Sequence, residues 1–180
     1  MMHDDVEKIL YTKETLENRI AALGRQITAD YAGKAPLCIG VLKGSFVFMA
    51  DLIRAIDLDC SVEFMAVSSY GDGTTTTGAV NITKDVGVSI EGRDVIIIED
   101  ILDSGVTLSY LMGYLSAMKP ASLAICTLLD KPARRKADVK PDYCGFECPD
   151  EFIVGYGLDY AQRYRNLPYI GILKRSVYSA

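Results

Sequence analysis

The 180 residues are 49% hydrophobic and 24% charged, a balance that excludes disorder, collagen-like repeats and low-complexity architecture and suits one compact domain with its own core. Nineteen Lys and Arg against 24 Asp and Glu leave a net charge of -5, which argues against non-specific duplex binding through a broad basic face but leaves room for a local basic pocket. Cys38, Cys60, Cys126, Cys144 and Cys148 form no C-x-x-C pair and have one histidine, His3, to assist them. They read as free thiols of a reducing compartment, mostly buried, rather than as a zinc set or a disulfide framework. The acidic opening Met1 to Asp5 lacks the pattern of a secretory signal, and no apolar run approaches the roughly 18 residues of a membrane span. The expectation is a cytoplasmic protein without a membrane partner.

Leu16, Ile20, Leu23, Ile27 and Tyr31 recur at helical spacing with charged residues between them, which predicts an amphipathic helix over 12–31 ending near Gly33. Pro36 to Leu42 is short and apolar on both faces, as a buried parallel strand is. Lys43-Gly44-Ser45 breaks that run, and Phe46, Met49, Leu52, Ile53 and Ile56 resume a helical period. Val62 to Val67 reads as a second strand. It runs into the polar, Gly- and Thr-rich stretch Ser68 to Gly78, a mobile surface loop or the tip of a long hairpin. Asp94 to Ile98 is the strongest buried-strand signal and ends at Glu99-Asp100. Leu108, Leu111, Met112, Leu115 and Met118 mark a helix that Pro120 terminates, and Ser122 to Leu129 is the next apolar strand.

This alternation, with no repeat and no linker, predicts a single α/β domain over 1–180 around a mostly parallel, twisted sheet flanked by helices. The tail departs from it. Tyr143 to Glu147, Phe152 to Tyr156 and Tyr169 to Leu173 are short strand-like pieces separated by Pro149, Gly157 and Pro168. They are expected to build a small flap over one end of the sheet, mainly from residues 140–180.

Ligands of open α/β sheets collect beyond the carboxyl ends of the strands, so the residues that follow each apolar run carry the information. After Val95 to Ile98 comes Glu99-Asp100-Ile101-Leu102-Asp103-Ser104-Gly105-Val106-Thr107, leading into a helix. Small and hydroxyl residues with free N–H groups at a helix N-terminus make a phosphate cradle. Glu99 and Asp100 can accept hydrogen bonds from sugar hydroxyls or hold a divalent ion through water. Two plainer readings compete: Asp103-Ser104 as a helix cap, and the acidic pair as a solvated turn.

The string resembles the phosphoribosyl diphosphate motif of the type I phosphoribosyltransferases: an apolar run, Glu-Asp, two apolar residues, Asp, Ser or Thr, Gly, any residue, Thr. No Walker-type G-x-x-x-x-G-K-[ST] occurs. The remaining matches narrow the resemblance to the hypoxanthine-guanine branch. Leu42-Lys43-Gly44 is similar to that branch's pyrophosphate loop, Ser69-Tyr70 to its mobile catalytic loop, and Leu128 to Lys131 to the strand and lysine that read the purine. Lys140 to Tyr143, Gly145 to Glu147, Val154 to Tyr160 and Tyr164 to Pro168 are similar to its purine hood. The resemblance implies a type I phosphoribosyltransferase fold with a small purine-binding hood.

It also implies the roles. Asp159 would be a direct ligand of Mg2+ and border the purine, with Glu99 and Asp100 holding the ribose hydroxyls and the metal's water shell. Lys43, Gly44 and Arg165 would receive pyrophosphate next to a cis peptide at Leu42-Lys43. Ser104, Gly105, Val106 and Thr107 would bind the 5'-phosphate, with Asp103 as general base or proton guide. Lys131, a donor only, would favour a 6-oxo over a 6-amino purine. Phe152 would stack on the base and the backbone of Ile153 would read its edge, while Ser69 and Tyr70 close over the reaction centre. Gln162-Arg163 stands where relatives commonly carry an acidic residue, and a threonine run replaces a serine-richer loop. The expected partners are a 6-oxopurine base and 5-phosphoribosyl 1-diphosphate, without nucleic acid, in a homodimer or homotetramer. The alternatives are a non-catalytic regulator of this fold that binds nucleic acid, and a xanthine-preferring enzyme.

Overall fold

The structure, a computed structural model, describes residues 1–69 and 80–179. Thr12 opens the first helix by accepting the Thr15 N–H at 3.2 Å through its hydroxyl, a cap that satisfies one of the orphan donors of the first turn. Helix α1 then runs Lys13–Asp30 and buries Leu16, Ile20, Leu23 and Ile27 along one stripe. Helix α2 spans Phe46–Ala55 and α3 spans Val106–Ser116.

The main sheet has six strands. Strands β2 (Leu37–Leu42), β3 (Ser61–Ser69), β5 (Asp94–Leu102), β6 (Ser122–Asp130) and β7 (Tyr143–Glu147) are parallel to their neighbours, and β4 (Val80–Lys84) returns antiparallel to β3. The spatial order is β4-β3-β2-β5-β6-β7. Alternate residues of β5 face opposite sides: Ile96 and Ile98 join the core under α1 and α2, whereas Val95 and Ile97 join the core under α3. Both faces are covered, which is why the parallel strands read as continuous apolar runs.

From β2 the chain moves outward to β3 and β4; from β5 it moves the other way, to β6 and β7. The switch point therefore lies between the carboxyl ends of β2 and β5, where Lys43-Gly44 and Asp103-Ser104 leave the sheet. That is the crevice in which ligands of doubly wound sheets bind.

A second, three-stranded antiparallel sheet, β1-β9-β8, makes the hood from Val6–Tyr11, Ile170–Leu173 and Ile153–Val154. It closes over a small apolar cluster of Val154, Tyr164, Leu167 and Leu173 and is followed by a short helix, α4 (Arg175–Tyr178).

Three details depart from the sequence reading. Tyr143–Glu147 is the edge strand of the main sheet, pairing Cys126 to Tyr143 through Asp130 to Glu147, and not part of the flap. The hood instead recruits β1, from the other end of the chain. Strand β5 also continues past Ile98, its ladder with β6 holding to Leu102, so Glu99 and Asp100 lie within the strand end. All five cysteines are free, with Cys38, Cys126 and Cys148 buried and the other two half-buried. Among the described residues no helix is long and apolar enough to cross a membrane.

Candidate active site

Strand β5 delivers the acidic string. Because the ladder continues to Leu102, Glu99 and Asp100 are held by backbone pairing in an environment that does not suit charge. Burial, and then the neighbouring Asp100, hold the Glu99 carboxyl well above the usual carboxylate range. Burial also raises Asp100, opposed by hydrogen bonds from Glu99 and the Ile101 N–H and by the charge of Arg165. The Glu99 Oε2 atom is sealed from solvent without a partner. A buried acceptor in that state costs stability until something donates to it.

Asp103 answers the capping alternative. The N-cap of α3 is Gly105, at φ 79°, and Ser104 Oγ, not Asp103, accepts the Val106 N–H of the first turn, at 3.4 Å; the Asp103 Oδ1 atom is buried and unpartnered. Its carboxylate is not consumed by the fold. Past Gly105 the first turn of α3 presents N–H groups that have no carbonyl within the helix, and Ser104, Gly105 and Thr107 line one cavity with them.

Lys43-Gly44 approaches this turn from β2, across a cis Leu42-Lys43 peptide. The fit is close. A Cβ on Gly44 would stand 1.7 Å from Asp100 Oδ2, and a Cβ on Gly157, whose φ is 104°, would stand 2.1 Å from the Gly44 carbonyl oxygen. Two missing side chains thus let β5, the β2 loop and the hood meet backbone to carboxylate. Gly157 in turn anchors Arg165, which donates to its carbonyl at 2.7 Å and pairs with Asp159 at 2.7 Å. The other Asp159 oxygen accepts the Gln162 N–H at 2.8 Å. Gln162 Oε1 lies 3.3 Å from Lys43 Nζ and 3.5 Å from Arg165 Nη2, so a neutral acceptor stands between two cations.

These residues form two adjoining cavities. One is lined by Lys43, Gly44, Glu99, Asp100, Asp103 to Gly105, Thr107, Asp159 and Arg165. The other is lined by Lys131, Arg134, Asp150 to Ile153, Leu158 and Tyr178. Ile101, Asp103 and Asp159 border both. Lys131 is no surface lysine: it is 6% exposed, and its ammonium donates to the Glu151 carbonyl at 2.8 Å, leaving further donors for a ligand.

The structure gathers the expected site residues it describes around one crevice, apart from Ser69, for which it shows only a place at the end of β3, and Val106, whose N–H turns back toward Ser104 Oγ at 3.4 Å. Ser69 ends β3 and Tyr70 lies outside the described residues. No three acidic, histidine or cysteine side chains among the described residues converge into a protein-only metal cage. Glu99, Asp100 and Asp159 nonetheless line one cavity with oxygen donors, which suits an ion that takes one or two carboxylates and completes its shell with phosphate oxygens and water.

Arg135 is a residue that the sequence motifs do not single out. Its guanidinium is half-buried, pairs with Asp130 at the end of β6, and donates to the carbonyls of Asp103 at 3.1 Å and Val139. It pins the loop that carries Asp103, and only its position after a strand end could have hinted at that.

A crevice at the switch point, with a helix N-terminus, clustered carboxylates and an adjoining lysine-marked cavity, defines the layout of an α/β protein suited to a phosphate-bearing ligand. The phosphoribosyl transferase domain family matches residues 7–161. The hypoxanthine-guanine phosphoribosyltransferase of Bacillus subtilis is 56% identical over 180 residues, covering 100% of both chains, and that of Staphylococcus aureus is 56% identical over 99% of both. A crystal structure of a hypoxanthine phosphoribosyltransferase from Staphylococcus aureus superposes with a TM-score of 0.96 at 56% identity, covering 99% of this chain and 97% of that one. The chain belongs to the phosphoribosyl transferase family, in its hypoxanthine-guanine branch.

Proposed function

We propose that the protein transfers the 5-phosphoribosyl group of 5-phosphoribosyl 1-diphosphate to a ring nitrogen of hypoxanthine or guanine, giving IMP or GMP and diphosphate in purine salvage. The observation that carries this is the pair of cavities meeting at Asp103, one with carboxylates and a helix N-terminus, the other with a buried lysine.

The bond from the anomeric carbon to diphosphate breaks as the bond to the purine nitrogen forms, and the base sheds a proton. Ser104 to Thr107 anchor the 5'-phosphate at the α3 N-terminus. Glu99 and Asp100 accept hydrogen bonds from the ribose hydroxyls, which supplies the donors that Glu99 Oε2 lacks. Lys43, the Gly44 backbone and Arg165 receive the leaving diphosphate as its charge develops. Asp103, at the junction of both cavities, takes or guides the proton of the base. Lys131 donates to the 6-oxo group, Phe152 stacks on the ring, and the Ile153 backbone reads its edge.

Asp159, Glu99 and Asp100 would hold Mg2+, directly or through water, and the ion neutralises diphosphate charge when bound. By the family resemblance the protein works in the cytoplasm as a homodimer or homotetramer. Diphosphate release measured with hypoxanthine, guanine, xanthine and adenine tests the reading. Turnover with the first two and little with adenine is expected; no turnover with any purine overturns it, and a clear preference for xanthine would reassign the base.

A further inference from the structure

The base cavity has one wall that the roles above leave unexplained. Tyr178, in α4, lines it together with Phe152, Lys131 and Asp103. Its ring stacks on Phe152 with centroids 4.8 Å apart and planes 27° apart. Tyr160 meets Phe152 edge-on, at 5.4 Å and 90°, and lies 6.4 Å from Tyr178. All three separations fall in the range where aromatic pairs attract.

Helix α4 is four residues long, too short to stand by its own hydrogen bonds. It is seated from below by Lys174, whose N–H donates to the Asp5 carbonyl at 2.9 Å and whose ammonium donates to the Asp4 carbonyl at 2.5 Å. Val177 packs against the apolar cluster of the hood. The hood thus holds the Tyr178 ring at the cavity.

A flat base gains most from an aromatic partner whose orientation is already fixed, because ordering a free ring on binding costs affinity. Tyr178, stacked on Phe152, and Tyr160, perpendicular to it, fix the orientation of the Phe152 ring. We propose that Tyr178 is a base-binding residue: purine, Phe152 and Tyr178 form one continuous stack, and Tyr178 closes the outer wall of the cavity. The inference rests on assigning this cavity to the purine. No hydrogen bond of the Tyr178 hydroxyl is found among the described residues, so the ring, and not the hydroxyl, carries the role.

The test is the series Tyr178→Phe, Tyr178→Leu and Tyr178→Ala in the full chain, read as KM for hypoxanthine, KM for 5-phosphoribosyl 1-diphosphate, IMP affinity by calorimetry and melting temperature. Leu and Ala are expected to raise the hypoxanthine KM and the IMP Kd about 3- to 10-fold, the span of one aromatic stack. The diphosphate KM should hardly move, and Phe should behave as the parent does. Tighter base binding in Tyr178→Ala would mean that Tyr178 occupies the place of the base and would overturn the proposal. Unchanged base binding, a Leu variant as good as the parent, or equal weakening of both substrates with a lowered melting temperature would overturn it too. Failure of the functional reading looks different: the parent protein itself would release no diphosphate with any purine, while the calorimetric series would still report on Tyr178.

Discussion

Gly44→Ala is the substitution for which the site allows the sharpest reckoning. The added Cβ would lie 1.7 Å from Asp100 Oδ2 and 2.6 Å from its Cγ, whereas ordinary contact begins near 3.4 Å. The carboxylate or the loop must therefore yield by more than an ångström. Asp100 is 8% exposed and its Oδ1 accepts the Ile101 N–H at 2.8 Å, so turning it away forfeits that bond. The loop is blocked behind, where the Gly44 carbonyl already sits against Gly157. Overpacking of this kind costs about 1–3 kcal/mol, roughly 2–10 °C of melting temperature in a chain of this size. A misplacement of about 1 Å at a reacting group costs on the order of 100-fold in rate. Steady-state diphosphate release and thermal unfolding are the assays. The expectation is a folded protein, a few degrees less stable, with kcat/KM for 5-phosphoribosyl 1-diphosphate reduced about 100-fold. A variant within threefold of the parent in kcat/KM and equal in melting temperature would refute the reasoning.

Gly113→Ala is the matched control: Gly113 lies inside α3 with nothing within 4 Å of its added Cβ, so thermal unfolding should show a gain of about 0.5–1 kcal/mol with activity unchanged. Asp103→Asn should lower kcat far more than it raises the KM for 5-phosphoribosyl 1-diphosphate, and equal effects on both would return Asp103 to a structural role. Lys131→Ala should weaken 6-oxopurines and relax rejection of adenine in the base panel; an unchanged ranking would remove its assignment. Burial lifts Glu99 in the folded chain, so the native state binds its proton more tightly than the unfolded state, and the ligand-free protein loses stability as pH climbs from the ordinary carboxylate range toward the raised value. Glu99→Gln should therefore melt higher than the parent at neutral pH and converge with it as the pH approaches about 4. Melting curves with the same separation at every pH would contradict this.

Much of the fold was legible because parallel strands buried on both faces leave continuous apolar runs. The helices α1 to α3 announced themselves by a 3.6-residue period. What escaped detection was set by non-local pairing. Strand β1, Val-Glu-Lys-Ile-Leu-Tyr, exposes Glu7 and Lys8 and becomes a strand only because β9 pairs with it more than 150 residues later in the chain. Tyr143–Glu147 resembles the hood strands in length and composition, and only its register with Cys126 to Asp130 places it in the main sheet. In the site, the string from Glu99 to Thr107 was readable because its chemistry is contiguous. The roles of Gly157 and Arg135 were not, since each acts through a carbonyl contributed by a distant segment, that of Gly44 and that of Asp103.

A crystal structure with IMP and Mg2+ tests the central claim most directly. The account requires the phosphate on the α3 N-terminus at Ser104 to Thr107, the ribose hydroxyls at Glu99 and Asp100, and the 6-oxo group within hydrogen-bond reach of Lys131 Nζ with the ring on Phe152. A nucleotide bound away from the β2–β5 switch point, or one whose base turns its back on Lys131, would contradict it.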